Sequence, residues 1–172
     1  MRKLILVDYS DREIGVCEKL EAHEKALLHR AFSVVLFNSK EEMLIQRRAE
    51  KKYHSAGLLT NSCCSHPEPN IPILVCAKER LVDEIGAVVD ELTDIGSFVY
   101  FHKFDDGLVE YELDHVIVGR YDGEINLNKE EASECFWKSI EEVESELLNN
   151  PNEYTVWFKE VFYKVKNYLL NR

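Results

Sequence analysis

The octet Thr60-Asn61-Ser62-Cys63-Cys64-Ser65-His66-Pro67 sets a thiol and an imidazole two residues apart. On extended backbone successive side chains point to opposite faces, so Cys64 and His66 fall on one side and can line one pocket. Pro67 has no N–H for a strand ladder and ends the run. The competing reading of these eight residues is an edge strand with two buried cysteines, since unpaired cysteine is among the most buried residue types. The flanking sequence decides between them.

Upstream, Ala31 to Phe37 reads as a buried strand, Asn38-Ser39-Lys40-Glu41 as its turn and Glu42 to Arg48 as the returning strand. A local reversal of charge follows. Arg47, Arg48, Lys51 and Lys52 gather four cations within six residues of a chain with 21 Lys and Arg against 32 Asp and Glu. Such a cluster is either a solvated loop or an anion site, where arginine grips phosphate oxygens as a fork and lysine as a point charge. Downstream, Glu68-Pro69-Asn70-Ile71-Pro72 is a loop. Ile73 to Gly86 then predicts a helix, with Ile73, Ala77, Leu81 and Ile85 every four residues, proline at its start and glycine at its end. Arg80 and Glu84 share a face of it, as a surface ion pair or as part of a phosphate and metal site.

Toward the N-terminus, Leu4-Ile5-Leu6-Val7 and Ile14-Gly15-Val16 predict a hairpin, and the helical or loop segment Glu18 to Leu28 carries Lys19 and His23, with His29 just beyond. Toward the C-terminus, Asp94 to Phe104 reads as a strand bearing Tyr100, and Asp105-Asp106-Gly107 as a hairpin turn. The next strand, Leu108 to Val118, alternates cleanly: Glu110, Glu112, Asp114, Val116 and Val118 share one face, with Glu110 and Glu112 about 7 Å apart along the backbone. On a solvated face these are ordinary acids; turned inward, they require a cation. A short strand within 126–137, an amphipathic helix from Ser139 to Leu148 and a last helix from Tyr154 to Leu170, with Val156, Trp157, Val161, Val165 and Leu169 in its stripe, complete the chain.

A length of 172 residues, 45% hydrophobic and 31% charged, suits one globular domain over 1–172. The formal net charge of −11 disfavours nucleic acid or a membrane surface as partner, because both are anionic. A small anion remains a candidate if local cations or a metal receive it. Five cysteines, an odd count with two adjacent, point to reduced thiols and a soluble cytoplasmic protein. No apolar run reaches the length of a membrane span or a signal-peptide core.

From about Leu4 to Trp157 the chain resembles the type I isopentenyl diphosphate isomerases, relatives of the Nudix hydrolases. The octet carries the resemblance, with Ala22-His23, Leu28-His29-Arg30-Ala31-Phe32-Ser33 and Glu110-Tyr111-Glu112. It implies an α/β fold of the Nudix type, a mixed β-sheet sandwiched between α-helices with an N-terminal hairpin. The activity it implies is interconversion of isopentenyl and dimethylallyl diphosphate through a tertiary carbocation. Also by resemblance, Cys64 and Glu112 are the acid–base pair, on opposite faces of the alkene, and Tyr100 assists Glu112. His23, His29, His66, Glu110 and Glu112 hold a divalent transition metal, a nitrogen and oxygen set suited to Zn²⁺, Mn²⁺ or Fe²⁺. Lys19, Arg48, Lys52 and Arg80 receive the diphosphate, Glu84 holds the Mg²⁺ bridging its oxygens, and Trp157 presents its π face to the carbocation. Proton delivery is assigned to Glu112 with Tyr100, and the opposite face to Cys64. No oligomeric partner is implied, and a monomer is expected.

The chain departs from the family's pattern at Ser55-Ala56-Gly57 and at residues 68–72, both beside the expected pocket. Two rivals stand. A Nudix hydrolase would need an arginine and a glutamate where Glu79 and Arg80 occur, and a further glutamate near Ile71. A non-catalytic binder of metal or prenyl diphosphate would need none of Cys64, Glu112 and Tyr100.

Overall fold

The computed structural model describes residues 2–52 and 54–172, and its centre is β3 (His29–Phe37). This strand pairs antiparallel with β1 (Lys3–Val7), β4 (Met43–Arg48) and β6 (Cys63–Ser65), and parallel with β8 (Val109–Arg120). β2 (Glu13–Glu18) completes the N-terminal hairpin with β1, as the two apolar runs predict. β5 (Leu59–Thr60) and β9 (Ala132–Lys138) flank β4, and β7 (Leu92–Lys103) pairs with β8. The sheet is therefore mixed.

Alternation along β3 sends side chains into two cores. Phe32, Val34 and Leu36 pack with Cys76, Ala77, Leu81 and Ile85 of α2 (Ile73–Ile85), while Val35 and Phe37 pack with Val143 of α3 (Ile140–Asn149) and with Phe158, Val161 and Phe162 of α4 (Phe158–Leu170). Each large apolar side chain so buried is worth about 2 kcal/mol. Helices on both faces make the expected sandwich. Gly86, at φ 69°, ends α2 in the left-handed conformation, and Ser139 caps α3 with a reciprocal bond to Glu142.

The last helix starts later than its apolar spacing suggests. Pro151–Glu153 form one 3-10 turn, and Tyr154 and Thr155 run beside β5, where Thr155 N–H donates to the Leu59 carbonyl at 2.9 Å and the Thr155 and Thr60 hydroxyls bond at 2.9 Å. Backbone pairing with β5 wins over helix propensity there, so Val156 turns outward at 46% exposure and Trp157 turns inward at 4%.

Two features aim side chains at one end of the sheet. On the face of β8 that packs toward α4, Val118 and Val116 belong to the core, and the same face continues as Asp114, Glu112 and Glu110, all buried. In β7 one extra residue lies between Asp94, opposite Ile117, and Ser97, opposite His115, with Gly96 at φ 111° within the bulge. Beyond it Tyr100 stands opposite Glu112, on the same face.

Candidate active site

A cavity of about 170 Å³ opens where these strands meet. Cys64, Ser33, Tyr100, Glu110, Glu112, Asp114 and Trp157 line it; His66, Lys19, Arg48, Lys52, Arg80 and Glu84 reach it as well. The thiol and imidazole of the octet thus share one cavity, as their spacing requires.

The polar residues of the octet build its backbone support. Asn61 donates from Nδ2 to the Val34 and Cys63 carbonyls, at 3.1 and 2.7 Å; Ser62 Oγ donates to the Leu44 carbonyl at 2.8 Å and accepts from Leu36 N–H at 2.9 Å. Both side chains are fully buried, where unpaired polar groups would be costly. The Cys64 thiol donates to Asn61 Oδ1 at 3.1 Å, and Trp157 Nε1–H approaches its sulfur at 3.3 Å. Burial first, then the nearby Asp114, pushes the Cys64 pKa up to about 12, so the group is a protonated thiol.

Behind the thiol, Ser33 Oγ donates to Asp114 Oδ2 at 2.7 Å, while Asp114 Oδ1 is buried without a hydrogen-bond partner. Burial and the neighbouring Glu112 raise the Asp114 carboxyl well above its ordinary value.

Three imidazoles converge on Glu112. His23 comes from α1 (Lys19–Glu24), His29 from the start of β3, and His66 from the residue after β6. The ligand atoms of His23, His29, His66 and Glu112 lie within 4.8 Å of one another, and all four residues are buried. His23 Nδ1 bonds the Lys19 carbonyl at 2.6 Å and His29 Nδ1 the Leu27 carbonyl at 2.8 Å. A carbonyl only accepts, so each Nδ1 carries a proton and each Nε2 is the nitrogen left to meet a ligand; both Nε2 atoms are buried without a hydrogen-bond partner. His66 Nε2 lies 2.9 Å from Glu112 Oε1, and burial, with His29 and Lys19 adding to it, pulls the His66 pKa well down. Buried imidazole nitrogens turned toward a carboxylate offer the nitrogen and oxygen donor set of a divalent cation site.

Glu110 stands at the side of this group. Its Oε1 is 2.9 Å from His54 Nε2 and 3.5 Å from His23 Nε2, and its Oε2 accepts from the Tyr100 hydroxyl at 3.0 Å. Tyr100 also donates to Glu112 Oε2 at 2.7 Å. For Glu112, burial works upward, but Glu110, the nearby His29 and the Tyr100 hydroxyl prevail and hold its pKa at about 2.

Lys19, Arg80 and the pair Arg48 and Lys52 from the basic cluster come from three separate places in the chain and meet along the cavity, joined by Arg2. Arg80 and Glu84, 19% and 5% exposed at their side chains, pair inward at 2.5 Å, with Gln46 donating to the other Glu84 oxygen at 3.2 Å. Arg48 lies over the Trp157 ring, 5.5 Å from its centroid. Every residue expected at the site lines the cavity or belongs to the imidazole cluster beside it. His54, Asp114, Glu131 and Arg2 also reach it and carry no expectation from sequence. Asp114 had a signal, its place on the face of Glu110 and Glu112; the other three had none in their local pattern.

The NUDIX domain family matches residues 27–159. The chain is 41% identical over 168 residues to the isopentenyl-diphosphate Delta-isomerase of Pectobacterium atrosepticum, covering 98% of this chain and 93% of that protein. It is 43% identical over 158 residues to isopentenyl-diphosphate Delta-isomerase 2 of Photorhabdus laumondii, covering 92% and 89%. In fold it is similar to DR0079 from Deinococcus radiodurans, with TM-score 0.70, 17% identity and coverage of 87% and 90%. A MutT protein from Methanosarcina mazei aligns with TM-score 0.66 and 18% identity, over 81% of this chain and 94% of that one.

Proposed function

We infer the chemistry of the site from one premise: the chain belongs to the Nudix family and, within it, to the isopentenyl-diphosphate Delta-isomerases. It interconverts isopentenyl and dimethylallyl diphosphate. The reaction adds a proton to one carbon of an alkene and removes one from another, with no carbonyl to activate either position. It therefore needs two acid–base groups and a cavity that keeps water from the carbocation.

Cys64 and Glu112 are our candidates for the two groups. The observation that carries this choice is their meeting in one cavity, the Cys64 thiol held by Asn61 and Trp157 and the Glu112 carboxylate by Tyr100. One group gives the alkene a proton while the other takes one from it, so the pair must exchange that proton, directly or through solvent, before the next turnover. Tyr100, bonded to Glu112, would hold the carboxylate in position and pass the proton at its Oε2. Trp157 would face the carbocation with its ring and keep the thiol oriented through its N–H.

We assign a Zn²⁺ or Mn²⁺ ion to His23, His29, His66 and Glu112, with Glu110 adjoining; when bound, it supplies the positive charge that fixes Glu112 and tunes its acidity. Lys19, Arg48, Lys52 and Arg80 would bind the diphosphate, and Glu84 would hold the Mg²⁺ that accompanies it. A single domain over 1–172, working as a monomer in the cytoplasm, suits a small soluble substrate. Among the described residues no helix is long and apolar enough to cross a membrane.

The test is incubation with isopentenyl diphosphate and Mg²⁺ in deuterated water. Deuterium is expected in dimethylallyl diphosphate. Release of inorganic phosphate would replace isomerisation with hydrolysis, and tight binding with no exchange would leave only a binding protein.

A further inference from the structure

Glu131 belongs neither to the metal cluster nor to the acid–base pair, yet it lines the cavity. It ends the connection between β8 and β9. Its carbonyl accepts from Ala49 N–H at 3.1 Å and its own N–H donates to the Asn128 carbonyl at 2.9 Å, so its backbone is tied to the segment that follows β4.

Its carboxylate meets two of the cations assigned to the diphosphate. Oε2 takes a short ion pair from Lys52 Nζ, and Oε1 lies 3.5 Å from an Arg80 terminal nitrogen. That same nitrogen donates to Glu84 Oε1 at 2.5 Å. Burial raises the Glu131 carboxyl, but Lys52 and Arg80 outweigh it and keep the group ionised.

A carboxylate held by a lysine and an arginine uses the donors that phosphate oxygens require. An incoming diphosphate competes with Glu131 for those donors, and once displaced, Glu131 and Glu84 face the diphosphate as like charges. We propose that Glu131 is a resident counter-anion of the diphosphate cradle, exchanged by the incoming diphosphate, and that its charge makes diphosphate binding depend on a divalent cation. Between turnovers it neutralises Lys52 and Arg80; as product leaves, it reclaims them. The inference rests on reading this cavity as a diphosphate site.

Titration calorimetry with inorganic diphosphate tests it, on the metal-loaded protein with and without added Mg²⁺. Glu131→Gln is expected to bind diphosphate about tenfold more tightly than wild type without Mg²⁺, and to lose a similar factor from the gain that Mg²⁺ brings. Glu131→Ala, also neutral, must behave alike, whereas Glu131→Asp keeps the charge and must keep the wild-type gain. Glu130→Gln is the control, since Glu130 pairs only loosely with Lys51, at 3.5 Å, with both side chains exposed. Neutral variants that bind no more tightly without Mg²⁺, or that gain as much from it as wild type, overturn the inference alone. Wild-type protein that takes up no diphosphate even with Mg²⁺ overturns the cradle and this inference together.

Discussion

Trp157 Nε1–H points at the Cys64 sulfur from 3.3 Å, across 93 residues of sequence. The thiol is thereby held between an indole donor and the Asn61 side-chain amide oxygen. Replacing Cys64 by alanine removes a proton carrier but little packing. Turnover should fall by at least ~10³-fold, within the range of a lost general acid or base. The thermal midpoint should move by only a few degrees. Deuterium exchange and thermal unfolding on the same sample check both, and near-native turnover would end the role of the thiol.

Tyr100→Phe keeps the ring and deletes the hydroxyl that serves Glu112 at 2.7 Å and Glu110 at 3.0 Å. We expect kcat to drop about 10²-fold with KM little changed, because the lost bond acts on a reacting carboxylate and not on the diphosphate. Bound metal, counted by elemental analysis, should match wild type. A variant with lost metal and raised KM would make Tyr100 structural.

Chelation followed by dialysis should lower both activity and thermal stability, since a cation bound only by the folded cluster stabilises it by about 2.7 kcal/mol at a hundredfold excess over Kd. Zn²⁺ or Mn²⁺ should restore both. In His29→Gln the lone pair at the buried Nε2 is lost, and the metal-induced rise in melting temperature should shrink or vanish. An unchanged rise would move the metal elsewhere.

His115 joins three elements, with Nδ1 2.7 Å from Asp94 on β7 and Nε2 2.8 Å from Asp11 in the β1–β2 connection, where Arg30 also holds Asp11 at 2.7 Å. Burial lowers the His115 pKa, but the two carboxylates win and raise it above 6.5. The folded state thus binds this proton more tightly than the unfolded state. Its stabilisation is complete below pH ~6.5 and fades as pH rises through the folded value. Asp94 behaves oppositely. Burial raises it, but His115 and Gly96 bring it below 3.8, so its share is present above that value and lost as pH falls further. His115→Gln should therefore cost about 2 kcal/mol near pH 5 to 6 and less above pH 8, by urea unfolding. A cost that is flat across that range would mean no imidazolium.

Most of the fold was readable because burial imposes strict periods. Pro72, the four-residue apolar repeat and Gly86 bracket α2, and the alternation of β8 sets its acids on one face. Sequence could not tell whether that face was wet; the parallel pairing of His29 with Glu112 and Leu113 with Arg30 turns it toward β3 and the imidazoles. The metal and diphosphate residues were assigned through family resemblance, and the cavity gathers them. What was missed depends on distant partners. Tyr154–Trp157 has helical spacing, but pairing with Leu59 keeps Tyr154 and Thr155 out of the helix. His54 and Glu131 sit in connections, where no periodicity reports on what a side chain meets.

The single surplus residue around Gly96 has a disproportionate effect downstream. Were the same residues paired without the bulge, with Asp94 still across from Ile117, Val99 would stand across from Glu112 and Tyr100 across from Tyr111. A position with no reactive atom therefore decides which ring the carboxylate meets. A slip of one residue in how this edge strand pairs would take Tyr100 off Glu112 while leaving Cys64 and the imidazoles in place.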